Sequence, residues 1–271
     1  PYALAFSIVL ILAEIMLGII LLLGCRAKVT LWSLLVLSTI FLFLTWYSAY
    51  YNKVTDCGCF GDAITLTPWE TFYKNVLLIA LILLMIFRVK DITSIFSVKV
   101  SQTITILSFA TFLYVTYYVL LHLPIIDFRP YKVGANIPEG MEYKNDGEIP
   151  KIHDLYLEDA QADLAPELLK KEKVMLVIVY NLDKVDESGF PAIKEVATKA
   201  KAKGYTVYGV SASFTDDLIL AKEKHNLPFD FLFCDETTLK TIIRANPGVV
   251  ILDKGVVVEK KNWIDVEDIE L

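Results

Sequence analysis

The segment Asp56-Cys57-Gly58-Cys59-Phe60-Gly61-Asp62 places two thiols one glycine apart, in a short polar stretch between two long apolar runs. Three chemistries suit such a pair. It can exchange disulfides with a partner thiol, close on itself as a structural bridge, or hold a soft metal through two thiolates. A Cys-x-Cys disulfide closes a very small ring, and glycine in the middle relaxes the backbone restriction. Strained, exposed disulfides are the oxidising, exchangeable kind. Two thiolates with His122 could hold zinc or Cu(I), but this spacing lacks a second ligand pair. The residues alone leave all three chemistries open.

Other residues stand out by type and place. Glu14 lies near the middle of an apolar run, where an ionisable group is costly and is read as functional by default. Ser7, Glu14, Gly18 and Cys25 recur at spacings of seven, four and seven residues, which puts them on one helical stripe. That stripe reads either as a helix-packing face of small residues with one hydrogen-bonded acid, or as a proton relay or a hydrogen-bonding group for a quinone-like ligand. Thr111, Tyr118 and His122 share a face of a later apolar run, with His122 at its rim. Cys25 and Cys234 are isolated from the pair and read as small buried residues. Asp183 and Asp186 form a carboxylate pair whose ordinary reading is a solvated loop.

The elements that must position these groups follow from composition. Of the 271 residues, 55% are hydrophobic, but the average hides a break near Pro124. Residues 1–123 hold seven Lys/Arg and five Asp/Glu, whereas residues 124–271 hold nineteen and twenty-seven. The first part is an apolar membrane domain; the second is an acidic water-soluble one, which argues against nucleic acid as a partner. Four spans are expected, at about 3–23, 29–50, 68–87 and 103–123, each long enough for a hydrocarbon core of roughly 30 Å. Thr67-Pro68-Trp69-Glu70 predicts a capping box with proline in the first helical turn, and Trp69, Phe72 and Tyr73 an aromatic belt. Arg26 and Lys28 follow the first span, and Arg88, Lys90 and Lys99 the third. By the positive-inside rule those loops are cytoplasmic, which turns the Cys57/Cys59 loop and the soluble domain outward. The chain begins Pro1-Tyr2-Ala3 rather than with Met, which reads as a fragment whose start is missing and leaves the number of N-terminal helices open.

The run Asp56 to Asp62, followed by Thr67-Pro68-Trp69 and an apolar helix, resembles the DoxX/MauE membrane family. The likeness is closest to the Bacteroidetes branch, in which the bundle carries a C-terminal soluble extension. It covers residues 1 to about 123, with Glu14 as weaker support. The resemblance implies a small inner-membrane helical bundle. MauE-type members are associated with maturation of a disulfide-rich periplasmic enzyme subunit, and other members with quinone-linked thiol oxidation. Nothing in the sequence points to methylamine metabolism itself.

Residues 124–150 carry four prolines and few apolar runs and read as a linker. Beyond it the pattern alternates. Strands are expected at Val174–Tyr180, Thr206–Ser211 and Phe229–Phe233, with helices at Pro191–Lys203, Asp216–His225 and Glu236–Arg244. A hairpin, Gly248–Leu252 and Val256–Lys260, turns about Asp253-Lys254-Gly255. This alternation predicts an α/β sheet with crossover helices. With Asn246-Pro247 before the hairpin, residues 151–271 resemble the thioredoxin fold of the TlpA type, Pro247 matching its cis-proline. The departure is chemical: the fold's Cys-x-x-Cys position falls on Asp183-Lys184-Val185-Asp186, so this domain is expected to be redox-inert.

The expected protein is thus an α-helical transmembrane bundle followed by an α/β thioredoxin-like domain lacking the CxxC motif, in a bacterial inner membrane with the soluble domain in the periplasm. Cys57 and Cys59 would exchange disulfides with a periplasmic dithiol protein, Glu14 and His122 are further candidate catalytic groups, and a quinone is the candidate cofactor. The alternatives are a non-catalytic scaffold whose soluble domain recruits partners, or a metal-handling membrane protein.

Overall fold

The computed structural model describes residues 2–52, 66–143 and 150–271. The chain divides into two compact units, residues 1–118 and 119–271. Among the described residues four helices are long and apolar enough to cross a membrane: α1 (Ala3–Leu22), α2 (Ala27–Tyr50), α3 (Pro68–Phe87) and α4 (Val98–Leu121).

In the first unit α2 and α3 pack through small and hydroxyl side chains. Thr30, Leu31, Ser38, Thr45 and Ala49 are buried on α2, and Thr71, Asn75 and Ile82 on α3. Close approach through small residues, with a polar group bonded across the seam, is the ordinary way to join helices where lipid removes the hydrophobic drive. Asn75 Nδ2 donates to Thr45 Oγ1 at 3.3 Å, and that hydroxyl donates to the Phe41 carbonyl at 2.8 Å. The capping box at α3 forms as the sequence predicts: Thr67 accepts from the Glu70 N–H, and Glu70 accepts from the Thr67 N–H at 2.9 Å. The turn between α1 and α2 is tight. Gly24 has φ +69°, and a Cβ there would stand 2.4 Å from the Thr93 carbonyl oxygen, so glycine is required twice over. Ile95 N–H donates to the Leu23 carbonyl at 3.2 Å, joining this turn to the one after α3.

The second unit is a five-stranded sheet among its described residues, in the order β3-β2-β1-β4-β5. The strands are β1 (Val174–Val179), β2 (Thr206–Ser211), β3 (Phe231–Phe233), β4 (Gly248–Asp253) and β5 (Val256–Asn262). β1, β2 and β3 run parallel; β4 is antiparallel to both β1 and β5. Every residue of β1 is buried, as a central strand covered on both faces must be. Its side chains alternate between two cores. Val174, Leu176 and Ile178 meet Tyr131, Ile152, Leu157 and Leu239; Met175, Val177 and Val179 meet Phe190, Ile193, Phe229 and Val266. After the short helices α5 (Ile137–Met141) and α6 (Ala165–Leu168), the crossover helices are α7 (Phe190–Ala202), α8 (Thr215–His225) and α9 (Glu236–Ile242). Their order and the sheet's strand order give the thioredoxin-like arrangement expected from the alternation.

One sequence reading changes. Residues 124–143 are packed against the domain rather than running free of it. Tyr131 and Ile137 are in its core, a short helix α5 (Ile137–Met141) follows, and Asn136 bridges to Val256 of β5. Beneath this segment lies a buried charge cluster. Lys260 Nζ donates to Asp127 Oδ2 at 2.8 Å and to the Tyr131 carbonyl at 3.1 Å. Arg129 Nε donates to Asp127 Oδ1 at 3.0 Å, and its Nη1 donates to the Lys240 carbonyl at 3.1 Å. Proline-rich composition concealed this because the anchors are single residues, not an apolar run.

Candidate functional site

Cys57 and Cys59 lie outside the described residues, between α2 and α3 in the chain. The frame on either side is described. The last turns of α2 carry Trp46, Tyr47, Tyr50 and Tyr51, with Trp46 stacked on Tyr50 at 5.7 Å between ring centres. The first turn of α3 carries Trp69, Phe72 and Tyr73, whose rings also touch one another. Amphipathic rings of this kind settle at a membrane–water boundary.

Glu14 is exposed on the surface of its unit, as is Ser7 on the same stripe, so the acid is not enclosed by α2 or α3. Cys25 departs from the sequence reading of a small buried residue. It is only half-buried, its Sγ lies 3.6 Å from Ser94 Oγ, and hydrogen bonds from Ser101 and Ser94 draw its thiol below the ordinary range. Cys234 does match that reading: it is 1% exposed, and burial pushes its thiol up to about 12, which keeps it protonated at neutral pH.

His122 acquires a partner far away in the chain, which no local pattern signals. Its Nδ1 lies 2.8 Å from both carboxylate oxygens of Asp265, 143 residues away in the 3-10 turn Trp263–Asp268. Beside it Asn262 Nδ2 donates to the Leu121 carbonyl at 2.8 Å. Within the second unit, Leu121 and His122 are therefore held by the C-terminal edge of the sheet domain.

The loop after β1, where the sequence reading places Asp183-Lys184-Val185-Asp186, carries no thiol. After β1 the chain makes a 3-10 turn at Leu182–Lys184, and Asp186 caps a second at Glu187–Gly189, its carboxylate accepting from Ser188 Oγ at 2.6 Å. The Asn246–Pro247 peptide is cis. Asp186 N–H donates to the Asn246 carbonyl at 3.0 Å, and Asn246 Nδ2 donates to the Asn181 carbonyl at 2.7 Å. The cis-proline loop thus grips the loop that follows β1, but the side chains there are carboxylates and amides. The side-chain oxygens of Asn181 and Asn246 are buried without a donor. Strand register adds one fact. Gly248 pairs with both Ile178 and Asn262, so the loop after β1, Asn262 and the clamp on Leu121 and His122 occupy one end of the sheet. Among the described residues no three His, Cys, Asp or Glu side chains are arranged to hold a metal.

Fold and site define a helical membrane unit joined to a thioredoxin-like domain without a Cys-x-x-Cys pair. Residues 1–88 match the family model of MauE, the methylamine utilisation protein MauE, so that stretch is similar to MauE. No curated protein sequence matches the chain. Among solved structures it is similar to a thiol:disulfide interchange protein from a Bacteroides species, at 18% identity over 39% of this chain and 75% of that one, with a TM-score of 0.32. It is also similar to the thioredoxin domain of a thiol-disulfide oxidoreductase from Bacteroides vulgatus, at 19% identity over 39% of this chain and 81% of that one, with the same TM-score.

Proposed function

We propose that this protein takes part in thiol–disulfide exchange at the outer face of a bacterial inner membrane, with Cys57 and Cys59 as its working pair. The observation that carries this reading is the distribution of thiols. Cys234 is buried and protonated, Cys25 is alone among serines on the α1–α2 turn, and the α/β domain has aspartates where a dithiol would stand. Cys57-Gly58-Cys59 is the one closely spaced pair in the sequence.

A partner thiolate attacks one sulfur of the Cys57–Cys59 disulfide, forming a mixed disulfide and releasing the other sulfur as a thiolate. The partner's second thiolate then displaces the chain, leaving the partner oxidised and Cys57 and Cys59 reduced. Two electrons have passed to the membrane protein, and a two-electron acceptor of the quinone class restores the disulfide. Glu14, inside a span, is suited to take or give the accompanying proton. The α/β domain docks the dithiol partner without exchanging with it.

Trapping tests this. A Cys57→Ser or Cys59→Ser chain in cells should accumulate a mixed disulfide with an envelope protein, visible as a reducible shift in mobility; Cys25→Ser should leave that adduct in place. No adduct from either variant, together with full function of the double Ser chain, would sink the reading. That result would favour the scaffold alternative, which an α/β domain without a dithiol also suits.

A further inference from the structure

We propose that the first unit holds one anionic phospholipid in a preformed site between α1, α2 and the turn after α3. Two adjacent cavities carry this inference. One is a groove of about 800 Å³ between α1 and α2, lined by Ala13, Leu17, Trp32, Val36 and Ile40 and almost wholly apolar. The other is a pocket of about 610 Å³ at the end of that groove, lined by Gly24, Arg26, Lys28, Lys90 and Ile92 among others. Lys28 and Val29 line both. An apolar trough running into a polar socket has the division of an acyl chain from its headgroup.

The charge of the socket selects the headgroup. Arg26, Lys28 and Lys90 come from two separate turns, and no carboxylate lines the pocket. Asp91 lies next to Lys90 in the chain, but its carboxylate faces Arg88 at 3.7 Å. Basic pockets between spanning helices are the recognised way to hold phosphate headgroups. The socket is also rigid. Gly24 is pressed against the Thr93 carbonyl, Ile95 N–H bonds the Leu23 carbonyl, and Ser94 Oγ donates to that same carbonyl at 3.3 Å. Arg26, at φ 48°, begins α2 with no side-chain cap, so the positive end of that helix adds to the field of the three cations. A backbone frame tied in this way loses less to ordering when it binds.

A quinone would suit the groove but has no use for three cations, and free phosphate would suit the socket but leave the groove to bulk lipid. Dioleoylphosphatidylglycerol, dioleoylphosphatidylcholine, inorganic phosphate and menaquinone therefore separate the occupants. The full chain, purified in detergent, is titrated with each and bound molecules are counted by native mass spectrometry. The expected result is one tightly held phosphatidylglycerol that phosphatidylcholine does not replace. The Arg26→Gln/Lys28→Gln/Lys90→Gln chain should bind it about a hundredfold more weakly, taking each interfacial cation at about fivefold. Ser33→Trp fills the groove with all charges kept and should also expel it, so the test survives if the triple variant misfolds. Equal affinity for the two lipids, displacement by inorganic phosphate, or displacement by menaquinone in both wild type and triple variant would each overturn the proposal.

Discussion

At the scale of single residues the thiols and the buried charges behave differently, and both are measurable. Cys25 is half-exposed with a thiol drawn down by Ser101 and Ser94, whereas Cys234 is buried with its thiol pushed up to about 12. A small maleimide at neutral pH should therefore label Cys25 in the native chain and reach Cys234 only after unfolding, as peptide mapping would report. Asp127 is the pivot of the buried cluster. Burial works to raise its carboxyl, but hydrogen bonds from Lys260 and Arg129 outweigh it and hold the group below its ordinary 3.8. A lowered folded value means stability that is complete above the unfolded value and lost as pH falls through the folded one. The domain should thus soften below about pH 4. Asp127→Asn should remove that acid limb and cost about 3 kcal/mol at neutral pH by stranding Lys260, read from thermal melts of the full chain at several pH values. Asp127 and Lys260 carry no signal in sequence, since a charge 133 positions from its partner looks like any surface charge.

At the scale of elements the membrane hairpin and the domain edge rest on a few polar contacts. Asn75 is buried in the α2–α3 seam with Thr45 as its acceptor. Replacing it with Ala should lower the stability of the hairpin by about 1 kcal/mol, seen as an earlier unfolding midpoint in denaturing detergent. Gly189 opens onto Trp263: a Cβ there would lie 2.7 Å from the indole. Gly189→Ala should displace the 3-10 turn that carries Asp265 and cost about 2 kcal/mol through overpacking, with the indole fluorescence changing alongside the melt. The elements themselves were largely legible. The helix expected at Pro191–Lys203 is Phe190–Ala202, the strand at Thr206–Ser211 has those bounds, and the capping box at Thr67 forms as its four residues predict. Local patterning and caps act over a few residues, so sequence reports them directly. The strand expected at Phe229–Phe233 shortens to Phe231–Phe233 because Phe229 turns into the core before the ladder begins.

At the scale of the whole molecule the proposed topology makes a direct prediction. In intact spheroplasts an added protease should remove the α/β domain and leave a membrane-embedded fragment ending near the last turn of α4, while cleavage between α3 and α4 should require lysis. The reverse pattern would turn the molecule over and put Cys57 and Cys59 on the wrong side for periplasmic exchange. Composition, hydrophobic period and residue identity are properties of the chain, and they alone already show the two-part organisation, the apolar spans, the α/β alternation and the absence of a dithiol from residues 183 to 186. It takes the folded chain to show that residues 124–143 pack into the domain, that His122 meets Asp265, and that the clamp on Leu121 and His122 shares one end of the sheet with the cis-proline loop. Those are encounters between residues more than a hundred positions apart, fixed by strand register and burial, and no local pattern encodes them.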